Sequence, residues 1–279
     1  MLEIDTSPRA ALRAAVRASA PRPAAAIRAA KDFEQGLWTA VRAEIRWAFT
    51  APRTWLMGVV ANLVFAVAWL GVQPLTAGRH HDWVILVGTY FSSFVLADVT
   101  TTNLLGADHY RVQRALSDGV AFSRLLLVKN VALVAIVGLP TLVAAMALTL
   151  WLETPARLAI TIPTVAVPIV SWLGVGNFVS VVLPVSVEPL IRRWRQRGDR
   201  RRTGCWLLAL TLPYALYYVA DPMAGVEHRV LWRQIPALIW PVFGRDTKSF
   251  VHLAIAAGVW AFGTAAALIW VNKRGLTMR

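Results

Sequence analysis

The chain has 279 residues, of which 57% are hydrophobic and only 16% charged, yet its formal net charge is +14. A soluble domain carries about a quarter charged residues, so this composition argues against an ordinary soluble fold. The basic residues sit in short segments between long apolar runs, not on one polar face, which disfavours a nucleic-acid-binding protein. The single cysteine, Cys205, excludes an intramolecular disulfide and a cysteine-based metal cluster.

Residues 1–32 form an Ala- and Arg-rich segment, read as a cytoplasmic tail. Ser7 and Pro8 suit the start of a short helix on which Arg9, Arg13 and Arg17 recur at i, i+4. The first 50 residues lack the apolar core that a signal peptide needs. In residues 33–52, Phe33, Leu37, Val41, Ile45 and Ala48 fall at helical spacing, with Arg42, Glu44 and Arg46 on other faces. This pattern predicts an amphipathic helix in the plane of the membrane interface, stopped near Ala51-Pro52.

Residues 53–279 then carry six apolar stretches, at 55–75, 83–105, 125–152, 158–187, 205–220 and 251–271. A bilayer core of about 30 Å takes about 20 helical residues; five stretches meet that length and the fifth is short. Only helices satisfy their own backbone across lipid at this length. The predicted fold is therefore an all-α integral membrane protein with six transmembrane helices. With the N-terminus inside, twenty-two Lys or Arg fall on the cytoplasmic side and six outside, with Lys129 inside the third span. The reverse orientation would expose the cluster from Arg192 to Arg202, so both termini are placed in the cytoplasm. This makes the chain a multi-pass protein of the cytoplasmic (inner) membrane.

Two connections stand out. In the loop 106–124, Asp108 is placed to cap a short helix that runs through Leu116 and stops at Gly119. The segment 221–250 is read as an external hairpin dipping into the outer interface, with Trp232 and Trp240 at headgroup depth.

No catalytic or metal constellation emerges. None of the four lysines follows a glycine, so a phosphate-cradling Gly-Lys is absent, and no cofactor is assigned to this chain. His80-His81-Asp82 offers too few ligands in workable geometry for a metal. Within the spans, Asp98 and Lys129 fall at similar depth on consecutive antiparallel helices, which predicts an ion pair between them. A proton-relay role for Asp98, and with it a proton-coupled secondary transporter, is the alternative reading; a non-transporting scaffold is the third. Ser92, Ser93, Thr101 and Asn103 on span two, with Tyr214, Tyr217 and Tyr218 on span five, suit a path for an amphipathic or lipid-like substrate. Ser and Thr serve ordinary helix packing equally well.

Asn103-Leu104-Leu105-Gly106-Ala107-Asp108, then Leu116, Ser123-Arg124 and Lys129, resembles the type-two ABC exporter permease family. Ala121-Phe122 stands where that family usually has Pro-Val, and Val128 replaces its Gly. The resemblance covers about 33–279. It implies a coupling helix in the loop 106–124, with Asp108, Tyr110, Arg111, Val112, Arg114 and Leu116 meeting an ABC ATPase subunit. It also implies that ATP and Mg are bound by that partner, and that a second permease chain, identical or not, completes the path. Membrane lipids are the remaining partner expected.

Overall fold

The computed structural model describes residues 32–49, 64, 68, 103–106, 108–185, 198–220 and 245–276. The tail, nearly all of the expected first and second spans and the hairpin residues 221–244 lie outside the described residues. Among the described residues the chain is helical and contains no strand.

A 3-10 turn, Asp32–Glu34, precedes helix α1, Leu37–Ala48. The expected amphipathic helix is thus divided at Gly36, and Phe33 lies in the turn before it. Helix α2 is His109–Ser117. Helix α3, Phe122–Leu133, continues through a π turn, Val134–Gly138, into α4, Leu139–Leu152. The π turn ends just before Pro140, which has no N–H to give the carbonyl of Ile136. A 3-10 turn, Pro155–Arg157, leads into α5, Leu158–Val182; α6 is Arg200–Ala220 and α7 is Arg245–Arg274.

Three of these elements are long and apolar enough to cross a bilayer: Phe122–Leu152, Pro155–Val182 and Ser249–Arg274. At 1.5 Å per residue the first alone is about 46 Å long, against a hydrocarbon core of about 30 Å. Helix α6 is apolar over Thr203–Tyr217, short for a crossing, as its sequence predicts. Helix α5 ends at Val182 and not at Val187, because the residue before Pro184 is disfavoured in helical conformation. Helix α7 begins at Arg245, so the last six residues of the expected hairpin belong to it. It ends at Gly275, whose φ of 68° and N–H to the Val271 carbonyl at 2.8 Å close the last turn.

Helix α5 is apolar on all sides and is the central element, packing against α4, α6 and α7. Its crossing with α7 is set by two glycines. A Cβ on Gly174 would come within 2.6 Å of the Trp260 Cα, and one on Gly263 would strike the Gly174 carbonyl. Small residues let helix backbones approach this closely in membranes. Asn177 of α5 joins its neighbours through polar contacts. It accepts from Asn130 of α3 at 3.0 Å and donates to Thr264 of α7 at 2.9 Å. On the other flank, Trp172 of α5 stacks on Tyr217 of α6, centroids 4.4 Å apart, with Tyr214 edge-on at 5.6 Å.

At one end of the bundle, the start of α3 and the close of α7 share a core with α1 and α2. Phe33, Ala40 and Val41 meet Val112, Ala115, Leu125, Val128 and Ala267 there. The apolar stripe of α1 is therefore buried against protein, chiefly α3.

Candidate functional site

The site lies in that shared core, and its geometry begins with the turn before α2. Asn103 donates through Nδ2 to the Val185 carbonyl, beyond the end of α5, and its Oδ1 accepts from the Gly106 N–H at 3.3 Å. A Cβ at Gly106 would collide with the same Val185 carbonyl, so only glycine fits there. Helix α2 then ends in paired backbone bonds. The Val120 N–H donates to Ala115 at 3.0 Å and the Gly119 N–H to Leu116 at 3.1 Å, with Gly119 at φ 89°. This two-bond closure satisfies the last carbonyls of the helix.

Asp108 holds the position expected of a cap, but its carboxylate makes no capping bond. It turns to Lys129 of α3, whose Nζ donates to both Asp108 oxygens at 2.9 Å and to Glu44 Oε1 of α1 at 2.8 Å. Arg111 of α2 pairs with Glu44 Oε2 and lies 3.4 Å from Asp108 Oδ2. Its guanidinium also stands over the rings of Phe33 at 4.4 Å and Trp47 at 5.1 Å. Two carboxylates and two cations, all buried, thus form a neutral cluster that joins α1, α2 and α3. Arg124 adds a second tie, donating through Nε to the Phe33 carbonyl at 2.7 Å and through Nη2 to that of Gln35.

Burial alone would raise the Glu44 carboxyl, but Lys129 and Arg111 outweigh it and hold it below its ordinary value of 4.5. Partial burial holds the His109 imidazole below its ordinary 6.5, against the opposing pull of Asp108 and a hydrogen bond to the Gly106 backbone.

The expected ATPase-facing residues divide into two groups. Asp108, Arg111 and Val112 are buried and point into the cluster and its core, so they are not available at a surface. Tyr110 is 62% exposed, the Arg114 side chain is 52% exposed and bonded to Asp118 at 3.1 Å, and Leu116 is half-buried. Of the expected pair, Lys129 has Asp108 and Glu44 as partners, while Asp98 lies outside the described residues. Among the path residues, Asn103 is engaged in the turn, and Tyr214 and Tyr217 pack on Trp172. Ser92, Ser93, Thr101 and the side chain of Tyr218 lie outside the described residues.

Glu44 was not expected here, since its charge placed it on an outward face. Its spacing holds the missing signal: it lies three residues after Val41 and seven after Leu37, on the buried side of α1. Among the described residues, no three His, Cys, Asp or Glu are grouped to hold a metal ion. Comparison of the chain with protein-family models, curated proteins and solved structures found no match in any of the three.

Proposed function

We propose that the chain is the permease subunit of an ATP-driven exporter of the ABC type. In this reading it lies in the cytoplasmic membrane as six spans with both termini inside. A second permease chain and separate ATPase subunits, which bind ATP and Mg, complete the machine. The observation that carries it is the mounting of α2. This short helix is tied at its start by the Asp108–Lys129 ion pair to a bilayer-length helix, and through Arg111 to Glu44 of α1, while Tyr110 and Arg114 remain exposed on its outer side. A displacement applied to that outer side reaches α3 through buried charged contacts, not through a slack loop. Such a rigid mounting is what force transfer from an ATPase requires.

Orientation is supported by the company this end keeps. Helices α1 and α2 and the close of α7, which share a core there, carry Arg42, Arg46, Arg114, Lys273 and Arg274, a basic content that suits a cytoplasmic end. The aromatic contact of Trp172 with Tyr214 and Tyr217 suits an amphipathic or lipid-like substrate.

The test is to reconstitute the chain with an ABC ATPase of the same source and measure hydrolysis with and without the permease. We expect stimulation, and we expect Tyr110→Ala with Arg114→Glu to lower it about tenfold, a loss of about 1.4 kcal/mol at an interface. The thermal stability of the permease should not change. Full stimulation in the double variant would exclude α2 as the coupling element.

A further inference from the structure

Helix α1 presents a second face that the cluster does not use. With 3.6 residues per turn, Trp38, Arg42, Arg46 and Phe49 fall on the side opposite Ala40, Val41 and Glu44. All four are exposed, Trp38 at 75% and Phe49 at 47%. We propose that this outward face, two arginines set between two aromatic rings, docks on the anionic headgroups of the membrane surface.

Four observations lead there. First, the apolar stripe that would insert an amphipathic helix into lipid is already buried against α3 and Ala267, so α1 meets its surroundings through the opposite face. Second, that face carries no carboxylate. Glu44, the sole acid of α1, is turned inward and matched by Lys129 and Arg111, and the exposed Glu34 precedes the helix by almost a full turn. Third, α1 packs on α3, the opening section of a bilayer-length helix, which sets it where hydrocarbon gives way to headgroups. Fourth, exposed Trp beside basic residues is the side-chain pattern of that zone, and each cation near an anionic surface strengthens binding about fivefold. A second copy of the chain fits this face poorly, because a two-fold contact would set Arg42 and Arg46 against themselves.

This inference rests on the chain being membrane-embedded, not on its acting as an exporter. The experiment uses the full chain with Cys205→Ser and a spin label at Thr39, an exposed neighbour on the same face. The protein is placed in vesicles of phosphatidylcholine alone or with about a third phosphatidylglycerol. Shielding of the label from a water-soluble nickel chelate reports docking. We expect shielding in the anionic vesicles and its reversal in concentrated salt, where charges are screened within about 3 Å. Arg42→Gln with Arg46→Gln should lower the docking equilibrium about thirtyfold, as two such cations multiply. Equal exposure in both vesicle types, or shielding that survives the double variant, would overturn the proposal. So would shielding that appears only on adding an ATPase, which would give the face to a protein partner. Resistance of the chain to alkaline carbonate extraction is scored in parallel. Release by carbonate would instead overturn the membrane reading on which the inference stands.

Discussion

Lys129 is a cation with three donors and three acceptor oxygens, buried in a helix of bilayer length. Removing one member of a buried ion pair leaves a charge without compensation and costs about 3–5 kcal/mol. Lys129→Met should therefore sharply lower the unfolding temperature in detergent. Lys129→Met with Asp108→Asn leaves the neutral pair of Glu44 and Arg111, and should recover part of the loss. Additive losses in that cycle would mean that the two residues do not interact. Acid should act in two stages, both with the same sign. A group whose pKa is lower in the folded state contributes stability that is full above its unfolded value and is lost as pH falls through the folded one. His109 sets the first stage, beginning below its ordinary 6.5, and Glu44 the second, below its ordinary 4.5. Unfolding temperatures followed from pH 8 to pH 3 should show both, and His109→Gln should abolish only the first.

Helix α7 carries two glycines in different settings. Gly263 meets the Gly174 carbonyl, whereas a Cβ on Gly258 would find nothing within 4 Å. Gly263→Ala must push α7 off α5 and should cost about 1–3 kcal/mol, as overpacking does. Gly258→Ala should be neutral or slightly stabilising, since alanine favours helix. Similar unfolding temperatures for the two variants would contradict this close crossing. The sequence shows why some elements were readable and others not. Helices α4 and α5 announce themselves by uninterrupted apolar runs, and α2 by Asp108 and Gly119 at its two ends. Asp108 is ambiguous in the sequence, since a carboxylate before a helix suits a cap as well as an ion pair, and only the fold brings Lys129 within reach. For helix α1, periodicity finds a buried stripe without telling protein from membrane. Glu44 was missed for a related reason: its partners stand far along the chain and have no local signature.

At the scale of the molecule, the proposed topology sets the charge cluster inside and the turn Pro155–Arg157 outside. Single cysteines at Arg114 and Lys273 in the Cys205→Ser chain should react in intact cells only with membrane-permeant reagents. One at Glu153 should react with impermeant reagents too. Impermeant labelling at position 114 would reverse the orientation, and with it the case for a cytoplasmic ATPase. The proposed orientation rests on an asymmetry of Lys and Arg counts; the meeting of α1, α2 and α3 has no such signal in the sequence, because it joins residues far apart in order. The same separation has a consequence for how the chain is made. Glu44 leaves the ribosome 67 residues before Arg111 and 85 before Lys129. At about 5–20 residues per second, its carboxylate waits several seconds or longer for its cations. Throughout that interval α1 cannot seat its buried side without stranding a charge. Although made before α2 and α3, helix α1 is thus among the last to settle, and a nascent chain that stops before Lys129 has no stable place for it.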